Sequence, residues 1–319
     1  MKRMSEFYFW FIGTGDFAAL LLPMLAEYFN FSMIITRTPS KAKRGLLEEI
    51  TPVEQAAVDI GFKPLRTAAL ASDESIYNEF SKNKPDGIFV IDFGEKIHEP
   101  FLTGTKFGCV NIHPSLLPKY RGAAPIQRAL ENGEQRTGVT LFQLVEEMDA
   151  GPIISQISSE ISLEENYPVT MNKAAVLGSK LANEWLRKIT SNPKKHLTYP
   201  QANESASFAP KISKSESQQS FEIAAAILHN RVRAFYPNPG VWVPFRGKRL
   251  KLIETYPICK TIASTKTGEI IVHEGIPVVK CREGAIMLKQ VQPEGKRIMF
   301  GEDWLNGSRL KPGDMMETM

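Results

Sequence analysis

Residues 108–151 read GCVNIHPSLLPKYRGAAPIQRALENGEQRTGVTLFQLVEEMDAG. The start of this stretch predicts a strand in which Asn111 and His113 alternate with apolar neighbours and therefore share one face. Residues 138–145 predict a second strand, and an acidic loop that contains Asp149 follows it. Because ligands bind at the carboxyl edge of open parallel sheets, we expect the two strands to present Asn111, His113 and Asp149 together at that edge.

An amide, an imidazole and a carboxylate together suit attack on a carbonyl group by a nucleophile that the substrate brings. The amide N–H polarises the carbonyl, the imidazole exchanges protons near neutral pH, and the carboxylate orients the imidazole or relays a proton. The predicted chemistry is stabilisation of a tetrahedral oxyanion by Asn111 and protonated His113, with Asp149 handling the proton. The competing interpretation is structural, since Asn-x-His is common at strand ends and an Asp near a Gly usually forms a turn.

Four strings in this stretch resemble the folate-dependent formyltransferase family. They are NIHPSLLP at 111–118, YRGAAPIQ at 120–127, TGVT at 137–140 and MDAG at 148–151. The run RGAAPIQRA at 121–129 most resembles the members that formylate an initiator tRNA. The resemblance implies transfer of a formyl group from the co-substrate 10-formyltetrahydrofolate to the α-amino group of methionyl initiator tRNA. It implies no metal, and its catalytic residues correspond to Asn111, His113 and Asp149.

The resemblance also implies a folate site and a cis peptide bond before Pro118. The loop at 115–118 would shape this site, with the 139–149 segment around the pterin. The implied cofactor-binding residues are Phe93, Gly94, Ser115, Leu116, Leu117, Pro118 and Val139. The chain departs from the family at Gly15, where the family has proline in a Gly-Thr-Pro turn, and at Asp92, where it usually has a small residue. Glu95 and Lys96 are also unusual there, and the 37–45 loop differs from the family's usual string.

The pattern along the rest of the chain predicts an α/β fold, a Rossmann-like, mostly parallel sheet flanked by helices. An apolar run at 7–12 is typical of a buried first strand, and a Gly-rich turn and a helix at 18–28 follow it. We interpret this run as a strand and not as a signal peptide, because Asp16 interrupts it early. Thr51, Pro52 and Glu54 suit the N-cap, N1 and N3 positions of a helix that ends near residue 59. Further strands are predicted at 33–36, 63–65, 87–92 and 153–161, and further helices at 72–83, 127–132, 168–191 and 221–234.

Residues 191–220 are polar and predict a linker, which divides the chain into a catalytic domain at 1–190 and a C-terminal domain at 221–319. The strings APKISK at 209–214 and HNRVRAFYPNPG at 229–240 resemble the family members that carry a second domain. Five short runs with turn signals predict a small β-barrel, and the family's C-terminal domain is OB-like and binds tRNA. These runs are 241–245, 249–256, 269–273, 277–281 and 285–291.

The charge distribution supports a polyanionic partner. The chain has 319 residues and a net charge of +4, yet residues 206–319 carry 17 Lys and Arg against 11 Asp and Glu. A basic C-terminal third suits RNA, although a solvated basic surface would have the same composition. The predicted tRNA contacts are Lys41, Lys43, Arg44, Arg231, Arg233, Arg246, Lys248 and Arg249.

Composition sets the remaining expectations. The chain is 43% hydrophobic and 23% charged, which is typical of a soluble globular protein, and no apolar run approaches the roughly 20 residues of a membrane span. The cysteines have no metal spacing and indicate reduced thiols in the cytoplasm. We expect no membrane association and a monomer. The histidines outside the trio (His98, His196, His229 and His273) are expected at the surface or in packing.

Three other functions remain open at this point. A related formyltransferase or 10-formyltetrahydrofolate hydrolase could use the same trio on a small amine or on water. The Gly13-Thr14-Gly15 turn could serve a nucleotide-dependent oxidoreductase, although it lacks the third glycine of the dinucleotide motif. A non-catalytic RNA-binding protein would need the basic C-terminal part alone.

Overall fold

The computed structural model describes residues 6–39, 50–192, 197–258 and 266–317 and divides the chain into two compact units. The first unit contains 1–123, 136–160 and 171–209, and the second contains 124–135, 161–170 and 210–319. The chain therefore passes between the units several times. The predicted division at a linker of residues 191–220 stays a prediction.

The first unit is built on a mostly parallel sheet, as predicted. In the described residues it has seven strands in the order β3-β2-β1-β4-β5-β6-β7. The first five strands run parallel, whereas β6 is antiparallel to β5 and β7 is antiparallel to β6. The strands are β1 (Tyr8–Gly13), β2 (Asn30–Arg37), β3 (Leu65–Thr67), β4 (Gly87–Ile91), β5 (Cys109–His113), β6 (Arg136–Gln143) and β7 (Ile153–Glu160).

Six of the seven α-helices in the described residues lie where the sequence predicted them, with ends shifted by a few residues, and the short helix at 301–307 was not predicted. Thr51 caps its helix as predicted, because its side chain accepts a hydrogen bond from the N–H of Glu54 at 3.1 Å. The helices along the chain are α1 (Asp16–Ala26), α2 (Pro52–Asp59), α3 (Glu74–Lys82), α4 (Pro125–Glu131), α5 (Tyr167–Ser191), α6 (Ala225–Phe235) and α7 (Gly301–Gly307).

The first strand is buried on both faces, which explains its continuous apolar run. Phe9 packs edge-on against Phe29 and Trp185 on one side of the sheet. Trp10, the next residue, packs edge-on against Phe80 on the other side. Alternate side chains of β1 therefore pack into two aromatic layers, one on each face of the sheet. These layers hold in place the strands whose ends carry the candidate site.

The second unit contains a separate antiparallel sheet, which agrees with the predicted small β domain. Its order in the described residues is β10-β11-β12-β9-β8, with β13 paired to β12. All five predicted runs are strands, and the short β13 was not predicted. The strands are β8 (Val241–Phe245), β9 (Lys248–Ile258), β10 (Ile270–His273), β11 (Ile276–Lys280), β12 (Ala285–Pro293) and β13 (Met299–Phe300).

Among the described residues, no helix has the length and apolar character needed to cross a bilayer. The same residues contain no group of three or more His, Cys, Asp and Glu side chains arranged to hold a metal ion. Cys109 and Cys281 are buried free thiols, and burial raises the pKa of Cys281 to about 12. Cys259 lies outside the described residues.

Candidate active site

Asn111 and His113 lie on one face of β5, two residues apart, as the alternation predicted. His113 is 5% exposed, whereas Asn111 is half-buried. No hydrogen bond from the Asn111 side chain to other described residues is present, so its amide N–H groups can donate to a substrate.

The imidazole of His113 is oriented through both ring nitrogens. Nε2 lies 2.9 Å from the carbonyl oxygen of Tyr120, and because a carbonyl can only accept, Nε2 carries the hydrogen. Nδ1 lies 3.8 Å from Oδ2 of Asp149, which is ion-pair distance. The Tyr120 contact therefore fixes the tautomer and leaves Nδ1 as the edge that faces the carboxylate and any reacting group.

Asp149 reaches this position by a route other than the predicted one. Because β6 is antiparallel to β5, His113 pairs with Thr140, and the end of β6 at Gln143 lies beside Val110. The two strands thus do not present their residues from a shared carboxyl edge. The N–H of Leu144 donates to the carbonyl of Cys109 at the start of β5, whereas Asp149 lies 3.8 Å from His113 at the end of β5, so the loop that begins at Leu144 turns back toward His113.

The returning loop is held at Asp149 by backbone contacts. Oδ2 of Asp149 accepts a hydrogen bond from the N–H of Gly122 at 2.8 Å, and the residue is 9% exposed. Its φ of +52° lies in the left-handed region that a non-glycine residue rarely adopts. Such a conformation persists only where the surroundings determine it, which is typical of functional sites.

Thr140 organises the loop that follows His113. Its hydroxyl donates to the carbonyl of Ser115 at 2.7 Å and accepts from the N–H of Leu117 at 3.1 Å and from Nε2 of Gln156 at 2.9 Å. The Leu117–Pro118 peptide is cis, as the resemblance implied. Thr140 lay within a quoted motif, but its role was not predicted, because its partners lie up to 25 residues away in sequence.

Comparison with known proteins decides the family. A model described as formyl transferase matches residues 9–185, and one described as formyl transferase, C-terminal domain, matches residues 211–309. The methionyl-tRNA formyltransferase of Caldicellulosiruptor saccharolyticus is 34% identical, over 96% of this chain and 98% of that protein. The enzyme of the same name from Kosmotoga olearia is 37% identical, over 95% and 97%.

The chain belongs to the formyl transferase family. The resemblance found in the sequence is thereby confirmed. Among solved structures, one similar chain is the N-formyltransferase from Helicobacter canadensis, in complex with folinic acid and dTDP-3-aminofucose. Its TM-score is 0.64 at 19% identity, and the match covers 89% of this chain and 98% of that one. This likeness supports the shared fold.

The residues predicted for the folate site of this formyltransferase lie in different environments. Phe93, Leu117 and Val139 are buried apolar side chains, and Ser115 is buried with its hydroxyl donating to the carbonyl of Lys119 at 2.6 Å. Leu116 and Pro118 are half-buried, and Gly94 is exposed with a φ of +75°. Much of the backbone of this loop is already hydrogen-bonded within the protein, so the half-buried side chains of Leu116 and Pro118 are the parts of it most open to a ligand.

The carboxylate of Asp92 occupies the space beside the turn before α1. The N–H groups of Thr14 and Gly15 donate to the carbonyl of Asp92, and the Asp92 side chain accepts from the N–H of Phe17. Packing of this carboxylate against the turn, followed by the nearby charge of Asp16, raises the pKa of Asp92. A dinucleotide would place its pyrophosphate at this helix N-terminus, so the arrangement argues against the oxidoreductase alternative.

Seven of the eight predicted tRNA contacts fall into three groups. Lys41, Lys43 and Arg44 lie outside the described residues. Arg231 donates to Gln219 at 2.6 Å and pairs with Glu131 at 3.3 Å. Arg246, Lys248 and Arg249 are exposed on the β8–β9 hairpin, where the guanidinium of Arg249 lies 4.5 Å from the ring centre of Trp242.

Arg233 lies in the interior and not on the predicted basic surface. It is 6% exposed, and its guanidinium donates to Asn230, to the carbonyls of Ser162 and Glu165, and to the carbonyl of Leu130. Each of its nitrogens is engaged within the second unit. A phosphate contact by Arg233 therefore conflicts with this structure.

The other histidines lie outside the site. His229 is 4% exposed and bonds Thr255 at 3.0 Å and the carbonyl of Leu163 at 2.9 Å, so it is a packing residue. Burial lowers its pKa. His98 and His273 are exposed, and His196 lies outside the described residues.

Proposed function

We infer that this chain transfers a formyl group from 10-formyltetrahydrofolate to the α-amino group of methionyl initiator tRNA, the modification that prepares this tRNA for translation initiation. Support comes from relatives named methionyl-tRNA formyltransferase, which match this chain over 96% and 95% of its length. The observation that carries the chemistry is the contact between Nδ1 of His113 and Asp149 at 3.8 Å, beside the unpaired amide of Asn111.

We propose that Asn111 and His113 stabilise the oxyanion. The uncharged amine adds to the formyl carbon, and the carbonyl oxygen becomes negative as the new C–N bond forms. The side-chain N–H of Asn111 and the Nδ1–H of His113 in its doubly protonated, imidazolium form donate to this oxygen, because the hydrogen on Nε2 is already bonded to the carbonyl of Tyr120.

Asp149 completes the proton balance in this mechanism. Addition leaves the attacking nitrogen with an extra proton, and the folate nitrogen needs one to leave. We propose that Asp149 accepts the first proton, directly or through water, and returns a proton toward the leaving nitrogen. Collapse of the oxyanion then breaks the bond between the formyl carbon and the folate, which yields formyl-methionyl-tRNA and tetrahydrofolate.

We propose that the folate lies against the loop at 115–118 and the segment at 139–149, with Phe93 and Gly94 at the end of β4 beside it. The Thr140 hydrogen bonds support this assignment, because they hold the loop that directly follows His113. Ser115, Leu116 and Val139 would form the walls through backbone and packing.

For the tRNA, we propose phosphate contacts by the exposed Arg246, Lys248 and Arg249 and by Lys41, Lys43 and Arg44. Arg231 would contribute only by releasing Glu131. We also propose that residues 1–190 form the catalytic domain and 221–319 the tRNA-binding domain, and that the protein acts as a cytoplasmic monomer.

The test is a formyl-transfer assay with 10-formyltetrahydrofolate and three acceptors: methionyl initiator tRNA, glycinamide ribonucleotide and water alone. We expect formyl-methionyl-tRNA to form, with tetrahydrofolate released in equal amount. Formylation of glycinamide ribonucleotide, or release of tetrahydrofolate without an acceptor at a comparable rate, would favour the small-amine or hydrolase alternative. Binding of tRNA without turnover would favour a non-catalytic RNA-binding protein.

A further inference from the structure

Arg121 is a buried charge whose closest partners are neutral. Its side chain is 3% exposed, and the nearest carboxylate, that of Glu147, is 3.7 Å away on a side chain that is 74% exposed. Its close contacts are amide oxygens: Nε and Nη2 donate to Oε1 of Gln201 at 3.1 and 2.7 Å, and Nη2 donates to Oδ1 of Asn203 at 2.7 Å. Burial of an arginine is costly without strong pairing, so this arrangement calls for an explanation.

Gln201, which accepts from Arg121, also donates hydrogen bonds to the loop that contains Asp149. Its Nε2 donates to the carbonyl of Asp149 at 2.8 Å and to the carbonyl of Gly151 at 2.7 Å. Because Oε1 accepts both hydrogen bonds from Arg121, the orientation of the amide is fixed by its neighbours. The two donors of one side chain thus bridge the backbone on both sides of Ala150, where Asp149 has its left-handed conformation.

The backbone around Arg121 contacts both ends of the His113–Asp149 pair. The carbonyl of Tyr120 accepts from His113, and the N–H of Gly122 donates to the Asp149 carboxylate. The segment at 199–209 runs alongside and is fixed to it. The N–H of Arg121 donates to the carbonyl of Ser207 at 2.8 Å, and the N–H of Ala209 donates to the carbonyl of Arg121 at 2.7 Å.

We propose that Arg121 and Gln201 are a positioning pair for the formyl-transfer reaction: Arg121 orients the Gln201 amide, which holds the Asp149 backbone so that the carboxylate faces His113. This proposal rests on the proposed function, because it takes Asp149 as a participant in the reaction. A displacement of about 1 Å at a reacting group can lower a rate by about 100-fold. The segment at 199–209, which lies in the predicted linker, would then supply part of the active site's support.

The test uses Gln201→Glu, which has nearly the same shape and can still accept from Arg121 but cannot donate to the two carbonyls. We expect kcat to fall by about 10- to 100-fold while the KM values for methionyl-tRNA and for 10-formyltetrahydrofolate stay within about two-fold. The matched control is Glu204→Gln, an exposed residue of the same segment, which we expect to behave as the wild type. Thermal melting of each variant, with assays well below the lowest Tm, controls for unfolding.

Combination with Asp149→Asn separates positioning from a general structural effect. If Gln201 acts through Asp149, Gln201→Glu should lower kcat little further in the Asp149→Asn background. If its effect is a general structural one, the fold-loss in kcat of the double variant should equal the product of the two single losses. A kcat of Gln201→Glu within two-fold of the Glu204→Gln control, or full multiplication of the two losses, would overturn the proposal. Wild-type activity in Asp149→Asn alone would instead refute the proposed mechanism, and an inactive wild type would refute the proposed function.

Discussion

Gly15 and Asp92 offer a sharp test of how the turn before α1 is built. A Cβ added at Gly15 would lie 1.8 Å from Oδ2 and 2.6 Å from Cγ of Asp92. Although Asp92 as a residue is exposed, its carboxylate fills the space beside Gly15 and accepts from the N–H of Phe17, the second residue of the helix. The carboxylate thus caps α1 in place of a side chain at the N-cap position, where glycine has none.

We expect Gly15→Ser to destabilise the wild type and to stabilise an Asp92→Gly variant. In the wild type the new Cβ drives the carboxylate away by roughly 1.5 Å or more to reach van der Waals contact. This movement loses a cap worth about 1 kcal/mol and strains the side chain by about 0.5–1.5 kcal/mol, so the cost is about 1–3 kcal/mol. Without the carboxylate, serine at the N-cap takes over the Phe17 N–H and should gain about 0.5–2 kcal/mol. Glycine at 92 tolerates the φ of +50° there.

The assay is differential scanning calorimetry of the wild type, both single variants and the double variant. Each kcal/mol should move the transition of the first unit by roughly 2–4 °C. The decisive observation is the sign of the Gly15→Ser effect in the two backgrounds. Equal shifts in both would refute the reasoning, because they would show that the serine and the Asp92 carboxylate do not compete for one place.

Other consequences of the structure can be measured directly. Asn111→Ala should lower kcat by about 100- to 1000-fold through loss of an oxyanion donor, and turnover within a few-fold of wild type would exclude that role. Burial lowers the pKa of His229 below its unfolded value, so folding favours the neutral imidazole. The neutral side chain therefore contributes to the free energy of unfolding above about pH 6.5, and this contribution is lost as the pH falls toward the pKa of the folded state. His229→Gln should therefore flatten the pH dependence of urea unfolding in that range, and an unchanged slope would contradict the assignment. Arg249→Ala should raise the KM for tRNA with kcat unchanged and reduce the salt dependence of binding, whereas an unchanged KM would remove Arg249 from the tRNA surface.

Sequence patterns predicted the parts of this fold that depend on local burial. The run at 7–12 became β1 because both of its faces meet aromatic side chains such as Phe29 and Phe80. The period of two correctly placed Asn111 and His113 on one face. Periodicity does not report strand direction, however, because an antiparallel strand alternates in the same way as a parallel one. The reversal at β6, and with it the path of the loop to Asp149, was for this reason beyond the sequence pattern.

The segment at 197–209 shows that a stretch of polar composition can still be bound closely to another part of the chain. Low apolar content shows that a segment adds little to a core, but backbone and amide groups can still be bound tightly to another part of the chain. Gln201 meets Arg121 across 80 residues and Asp149 across 52, and such pairings leave no local signature. A segment of this kind fixes position through hydrogen-bond geometry and not through buried area. Substitutions in it should therefore alter catalysis before they alter stability, which is the opposite of what a solvated linker would show.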